Sequence, residues 1–258
     1  MLEITTEDEG KYRITRGMTW AFFLARLAVY PLLWIFFMAM NRARAIGLEN
    51  IPKTGGVMIA ANHVSGVDTT LIPFFLINPF KLNPVLAVAK EELFKIPVIG
   101  FIVKSLGAFP VKRKARDFES MKRIVCHLRN HKVMIFPEGT RSKTGDLLTG
   151  RPAVGWIAQN ARPVVIPTLV INTDKFFWPG RPRPWFGIPY TVVYGKPLDI
   201  SRFYAMEEGK ATSSIITAEI MRGIAELKKT RHSLYMEPIL LPDGTPVKSL
   251  AQGDMGRA

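Results

Sequence analysis

The chain has 258 residues, of which 48% are hydrophobic and 22% are charged, so a sizeable core is possible and a disordered, collagenous or coiled-coil chain is excluded. Its 35 basic and 21 acidic side chains give a formal net charge of +14, which favours polyanionic partners such as nucleic acid, an anionic lipid surface or a phosphorylated ligand. The single cysteine, Cys126, excludes an intramolecular disulfide and any metal site with several cysteine ligands.

A mostly apolar segment, residues 18–40, follows an acidic amino terminus that lacks the basic start of a secretory signal. The segment is long enough for a bilayer-spanning helix of about 20 residues. Arg26 interrupts it, however, and Pro31 removes a helix hydrogen bond. We therefore expect one or two short helices that enter one leaflet, with Arg26 reaching the headgroups.

Aromatic side chains spread around every face of this segment, which favours lipid contact over the alternative of an apolar helix packed on the domain's own core. Basic residues Arg42 and Arg44 follow it, and cations tend to stay on the cytoplasmic side. Residues 1–45 are thus predicted to be a membrane-associating helical segment, monotopic or peripheral on the cytoplasmic face of the cell membrane. The side chains expected at the membrane are Trp20, Arg26, Trp34, Phe36 and Phe37.

From residue 46 onward, short apolar runs alternate with helical periodicity, which predicts an α/β domain over residues 46–242 with a central, mainly parallel sheet flanked by helices. Residues 172–189 are predicted to form an irregular loop, and residues 243–258 a flexible tail. The predicted strands lie at residues 57–61, 84–89, 133–136, 163–171 and 191–194, and the predicted helices at residues 116–130, 154–159 and 212–229, with a helix start at residue 68 and a broken helix at residues 92–104.

His63 and Asp68 are candidates for an acid–base pair. They are five residues apart, so they would not share a face of a regular helix. If His63 ends a strand and Asp68 begins the next helix, the chain folds back and the carboxylate fixes the imidazole tautomer of a general base. The alternative is a turn histidine beside a helix-capping aspartate. Ser65 is a weaker candidate for a nucleophile, because its neighbours do not match a Gly-x-Ser-x-Gly elbow.

The motif Phe-Pro-Glu-Gly-Thr-Arg-Ser, residues 136–142, directly follows an apolar run. Ligands of open parallel sheets bind outside the carboxyl ends of the strands, where this loop and His63 are both expected. Glu138 is a candidate to accept a hydroxyl hydrogen bond, Gly139 to allow close backbone approach, and Arg141 to bind phosphate. A surface turn with a solvated arginine is the alternative.

A third candidate region is basic. The strand-like residues 107–111 lead into three consecutive cations, including Lys112 and Arg113, which suit phosphate capture. A solvated basic face, or a surface that faces anionic lipid, is the alternative.

Taken in order, these motifs resemble the glycerolipid acyltransferase family typified by bacterial lysophosphatidic acid acyltransferases. The resemblance extends from about residue 47 to residue 198 and rests on the pairing of His-x4-Asp with Phe-Pro-Glu-Gly-Thr-Arg-Ser. It implies that His63 is the general base and Asp68 its orienting partner. It also implies a phosphate site lined by Lys112, Arg113 and Arg141, with Glu138 and Gly139 near the acceptor.

The resemblance further implies transfer of a fatty acyl group from acyl-coenzyme A or acyl carrier protein to lysophosphatidic acid, giving phosphatidic acid at a phospholipid surface, with no metal or other cofactor and no nucleic acid. Glycerol-3-phosphate, another lysophospholipid or a glycolipid remains an alternative acceptor. A non-catalytic basic membrane-binding module would explain the charge and the apolar segment but not the paired motifs. A nucleic-acid binder would explain the charge alone.

Overall fold

The computed structural model of the chain describes residues 16–77, 85–97, 100, 101, 103, 107–111, 118–177 and 186–234. Its strands are β1 (Arg44–Ile46), β2 (Val57–Ala61), β3 (Val85–Lys90), β4 (Ala108–Val111), β5 (Lys132–Ile135), β6 (Val164–Ile171) and β7 (Thr191–Tyr194). Its α-helices are α1 (Arg16–Trp34), α2 (Asp68–Leu76), α3 (Phe118–Leu128), α4 (Pro152–Ala161) and α5 (Lys210–Leu234). A π-helix, Ile35–Met40, continues α1, and short 3₁₀ turns lie at Leu48–Asn50, Glu91–Lys95, Thr173–Phe177 and Ser201–Phe203.

The seven strands form one sheet in the order β1-β7-β6-β2-β5-β3-β4. Neighbouring strands are parallel except for β6 and β7, which pair antiparallel. The predicted α/β architecture with a mainly parallel sheet is therefore confirmed. The central strand β2 lies between β5 and β6 and ends at the loop that carries His63.

Both faces of the sheet are covered, so the central strand β2 is apolar and buried at every position, as is common in parallel sheets. In β2, Met58 and Ala60 belong to one core cluster and Val57, Ile59 and Ala61 to the other. The first cluster holds side chains of α3, α4 and α5, among them Ile216, Ile220 and Ile224, which follow one another at the four-residue spacing of one helix face. The second cluster holds side chains of α2 and of the π-helix.

Of the two possibilities predicted for the apolar amino-terminal segment, one or two short helices, the structure shows one helix through Pro31. Helix α1 continues through Pro31 to Trp34 and then becomes the π-helix. A proline removes only one intrahelical hydrogen bond, and packing on the domain supports the helix around it: the Tyr30 ring stacks on Phe74 of α2 with 5.0 Å between ring centroids.

Phe37 was expected to contact lipid, but it is fully buried. Its ring packs on Phe74, with 5.1 Å between centroids, and belongs to the core cluster on that face of the sheet. Phe36 is half-buried and packs on Phe37 and Phe176. This end of the segment is therefore a core element, because the π-helix presents its aromatic side chains to α2 and to the sheet.

The preceding turns are exposed. Their large apolar side chains with exposed fractions of 40–67% are Trp20, Leu24, Leu27, Leu32, Trp34 and Ile35. The side chain of Arg26 lies outside the part that the structure describes. Within that part, no helix combines the length and the apolar character that crossing a bilayer requires.

The short strand β1 was not predicted, because three residues are too few to show an alternation pattern. It pairs with β7 and crosses the boundary predicted between residues 45 and 46. Arg44, expected at the membrane interface, lies in β1 and donates from Nε to Thr191 Oγ1 at 3.3 Å. The predicted broken helix begins as the 3₁₀ turn Glu91–Lys95, and α5 is longer than predicted at both ends. Residues 243–258 lie outside the described residues.

Candidate active site

The chain reverses direction between β2 and α2, and this reversal brings His63 and Asp68 together. The preceding Asn62 takes the place of a strand residue: its Oδ1 accepts from Val170 N–H at 2.7 Å, and its Nδ2 donates to Val170 O at 3.2 Å. His63 follows, and Asp68 is the first residue of α2. His63 Nδ1 lies 3.0 Å from Asp68 Oδ2, which confirms the predicted meeting of the two side chains.

The Asp68 carboxylate is fully buried and surrounded by hydrogen-bond donors. Oδ2 accepts from the backbone N–H groups of Val64 and Ser65, each at 2.8 Å, as well as from His63. Oδ1 accepts from the hydroxyl of Thr173. Because this carboxylate acts as the acceptor, His63 Nδ1 carries the hydrogen and Nε2 carries the lone pair of the neutral ring.

The imidazole plane is fixed by Phe136, the first residue of the Phe-Pro-Glu-Gly-Thr-Arg-Ser motif. The two rings stack with 4.0 Å between centroids and 14° between planes. With one edge bonded to Asp68 and one face covered by Phe136, the His63 ring is almost fully buried. A nearly buried, oriented imidazole with one free lone pair is suited to removing a proton from a bound hydroxyl.

Glu138 was expected to accept a hydrogen bond from the acceptor substrate. It is buried, and its carboxylate binds backbone: Oε1 accepts from His63 N–H and Oε2 from Leu148 N–H, each at 3.2 Å. Burial raises the pKa of Glu138, and these two hydrogen bonds partly oppose that shift. Oε1 therefore ties the loop after β5 to His63, and Oε2 ties residues 138 and 148 of that loop to each other.

Gly139 has a φ of +67°, and its missing side chain makes room for Arg151. A Cβ at residue 139 would lie 2.5 Å from Arg151 Nε, which donates to Glu138 O at 3.4 Å. The group that Gly139 allows to approach the backbone closely is thus the Arg151 side chain of the same chain. Ser142 donates from its backbone N–H to His63 O at 2.8 Å and ties the far end of the motif to the histidine.

Of the three cations predicted to bind phosphate, only Arg141 lies among the described residues. Arg141 is exposed and directly precedes Ser142, whose backbone contacts His63. Lys112 and Arg113 lie outside the described residues.

Ser65 is buried in the turn, where its Oγ accepts from Val67 N–H at 3.2 Å. Among the described side chains, no three histidine, cysteine or acidic groups lie close enough together to hold a metal ion.

Sequence reasoning missed Thr173 and the stacking role of Phe136. Thr173 is 105 residues from Asp68, so no local spacing connects them. One signal was available: Thr173 comes shortly after β6, which pairs parallel with β2. Polar residues that follow neighbouring parallel strands meet at the same edge of the sheet.

The comparisons with known proteins agree on one enzyme family. The sequence model of the Acyltransferase family matches residues 42–171. A 1-acyl-sn-glycerol-3-phosphate acyltransferase of Bacillus subtilis is 33% identical over 184 residues, which are 70% of this chain and 85% of that protein. The protein of that name from Borreliella burgdorferi is 27% identical over 160 residues, and a chloroplastic one from Arabidopsis thaliana is 32% identical over 156 residues.

These alignments cover different shares of the relatives. The match covers 61% of this chain and 61% of the Borreliella protein, and 58% of this chain and 40% of the Arabidopsis protein. Among solved structures, the 1-acyl-sn-glycerophosphate acyltransferase PlsC from Thermotoga maritima superposes with a TM-score of 0.55. That superposition covers 79% of this chain and 82% of the other at 23% identity, and it shows a shared fold.

Proposed function

The chain belongs to the acyltransferase family, and on this basis we propose that it transfers a fatty acyl group to the free hydroxyl of lysophosphatidic acid and forms phosphatidic acid. The observation that carries the proposal is the hydrogen-bonded pair of His63 and Asp68, held against the loop of residues 136–142. The names of the bacterial relatives support the choice of lysophosphatidic acid as acceptor.

In the proposed reaction His63 Nε2 takes the proton of the acceptor hydroxyl while that oxygen attacks the carbonyl of a thioester donor. The new ester C–O bond forms as the C–S bond breaks, and His63 returns the proton to the departing sulfur. Asp68 keeps Nδ1 protonated and stabilises the imidazolium that forms between the two steps. The donor is acyl-coenzyme A or acyl carrier protein, since both present the same thioester, and the steps need neither a metal nor a covalent acyl-enzyme.

An acyl-transfer assay on the purified full chain tests this proposal. Thiol release and a radiolabelled lipid product are followed with acyl-coenzyme A or acyl carrier protein as donor. The acceptors are lysophosphatidic acid, glycerol-3-phosphate, lysophosphatidylcholine and monoacylglycerol. We expect phosphatidic acid to be the dominant product. Faster turnover of another acceptor would select one of the alternative substrates, and no transfer with any acceptor would indicate a non-catalytic membrane-binding protein.

Arg141 is proposed to bind the phosphate of the acceptor. Its side chain is exposed, and it directly precedes Ser142, whose backbone N–H donates to His63 O. Hydrogen bonds to a charged group contribute about 1.5–3 kcal/mol. The substitution Arg141→Ala is therefore expected to raise the KM for lysophosphatidic acid roughly 10- to 100-fold, with a smaller change in kcat. Steady-state kinetics with lysophosphatidic acid and monoacylglycerol measure the effect.

Lys143 offers a matched control for Arg141, because it is an exposed cation two residues along the same loop. We expect Lys143→Ala to leave the KM for lysophosphatidic acid within about twofold, as for a solvated surface charge. An Arg141→Ala enzyme that still prefers the phosphorylated acceptor as strongly as the wild type would rule out the phosphate-binding role.

We further propose that the exposed apolar face of α1 lies in one leaflet of the membrane that supplies the acceptor, on its cytoplasmic face. Five exposed large apolar side chains of α1 and the first π-helical residue, Ile35, support this, since a patch of this kind marks a lipid or protein contact. The exposed cation Arg42 follows the segment and suits contact with anionic headgroups. The Phe37 end of the segment packs on the domain and fixes the face relative to the sheet.

Replacing two of these side chains tests the membrane proposal. Leu32 is 67% exposed and Trp34 50% exposed. Burial of a large apolar side chain contributes about 1.5–3 kcal/mol, so the double substitution L32S/W34S is expected to weaken binding to anionic phospholipid vesicles about tenfold or more. The control is Ile215→Ser: Ile215 is 43% exposed on α5, which packs on the other face of the sheet. Equal sedimentation of both variants with vesicles would contradict the proposal.

A further inference from the structure

We infer that Thr173 is a positioning residue for acyl transfer: it fixes the Asp68 carboxylate, which in turn orients the His63 ring. This inference rests on the proposed function. The hydroxyl of Thr173 donates to Asp68 Oδ1, while Oδ2 of the same carboxylate faces His63. Thr173 and Asp68 are both fully buried. The three side chains thus form one hydrogen-bonded chain from the 3₁₀ turn after β6 to the imidazole.

The hydroxyl is needed because the χ2 torsion of an aspartate side chain has a broad range of low-energy values. The donors at Oδ2, two backbone N–H groups and the His63 ring, fix the position of one oxygen. Thr173 fixes the other oxygen, so that the carboxylate plane is defined. It also satisfies a buried acceptor that has no other partner among the described residues, which weakens any tendency of the carboxylate to rotate away from His63.

Thr173 is itself held by chain segments other than the loop between β2 and α2 that carries His63. The preceding Asn172 has a φ of +70°, and its Nδ2 donates to Pro189 O at 3.0 Å. Three residues later, the Phe176 ring packs edge-on against Phe36 of the π-helix, with 5.4 Å between centroids. The hydroxyl is therefore fixed relative to the sheet and to the amino-terminal segment, as a group that positions a catalytic side chain requires.

The substitutions Thr173→Val and Thr173→Ser test this role in the purified full chain. Valine keeps the shape and removes the donor, and we expect kcat for acyl transfer to fall roughly 10- to 100-fold with both KM values nearly unchanged. Serine keeps the donor and is expected to recover kcat to within about threefold of wild type. The matched control is Thr168→Val: Thr168 is also fully buried, and its hydroxyl donates to Ile166 O in β6. We expect the control to leave kcat unchanged.

Two further readouts separate positioning from a general structural role. In a His63→Ala background, Thr173→Val is expected to change kcat less than about twofold, because its effect passes through the Asp68 carboxylate to the imidazole. In proton NMR, the downfield Nδ1–H signal assigned by its absence from His63→Ala is expected to move in Thr173→Val and to return in Thr173→Ser, which requires no turnover.

Three results would overturn the inference: an unchanged kcat in a folded Thr173→Val enzyme, the same loss of kcat with and without the His63 imidazole, or no recovery with serine. If the valine variant does not fold, Thr173→Ala replaces it, and equal kcat values for alanine and serine overturn the inference. Absence of acyl transfer by the wild-type enzyme would instead refute the proposed function, since the Thr173 comparison is made relative to wild-type turnover.

Discussion

Replacing His63 by alanine is expected to lower kcat for acyl transfer by about 10²- to 10⁴-fold, the usual contribution of a general base. The reason is that Nε2 carries the free lone pair of an imidazole whose Nδ1 is bonded to Asp68 and whose face is covered by Phe136. The backbone of residue 63 keeps its bonds to Glu138 and Ser142 in the variant, so the loop is expected to stay in place.

The measurement is single-turnover and steady-state acyl transfer with lysophosphatidic acid, accompanied by thermal melting to confirm folding. His131→Ala is the matched control, because His131 precedes β5 at the opposite end of the sheet. We expect the control to keep wild-type kcat. A folded His63→Ala enzyme with kcat within tenfold of wild type would exclude His63 as the base.

The strands of the sheet and the His63–Asp68 pair were predictable because both depend on residues that are close together in the sequence. Strands buried on two faces appear as continuous apolar runs, and β2, β5 and β6 were placed within one residue on that basis. The pair follows from β2 ending at Ala61 and α2 beginning at Asp68, which is a short-range property of one turn.

The roles of Phe37, Glu138 and Thr173 were not predictable in the same way, because long-range packing decides them. Phe37 directly follows Phe36 in the same apolar run, and only the approach of α2 makes it a core residue. Glu138 was identified as important, but its partners are backbone groups of residues 63 and 148, which no side-chain pattern reveals. Thr173 meets Asp68 across 105 residues.

The connection between the amino-terminal segment and the dyad also becomes visible only in three dimensions. Phe37 and Tyr30 pack on Phe74 of α2, the helix whose first residue is Asp68. Phe36 packs on Phe176, which lies in the same 3₁₀ turn as Thr173. The segment that we propose to contact the membrane thus braces both elements that hold the Asp68 carboxylate.

Asp68→Asn is expected to lower kcat roughly 10³-fold while leaving the fold intact. The amide oxygen is able to keep the N–H donors of Val64 and Ser65, and its Nδ2 is able to donate to Thr173, whose hydroxyl can turn to accept. What is lost is the negative charge opposite the imidazolium that forms during transfer, in a site where burial strengthens its effect. Both KM values are expected to change little, because Asp68 is fully buried.

Kinetics of Asp68→Asn, compared with Asp146→Asn as an exposed control, measure this effect. The double variant H63A/D68N carries the sharper test. If Asp68 acts only by orienting His63 and stabilising its charged form, then removing it from an enzyme that already lacks the imidazole has nothing left to disturb, and the double variant should be no slower than His63→Ala. A multiplicative loss would mean that Asp68 contributes to acyl transfer independently of His63, and the assignment of base and orienting partner would have to be abandoned.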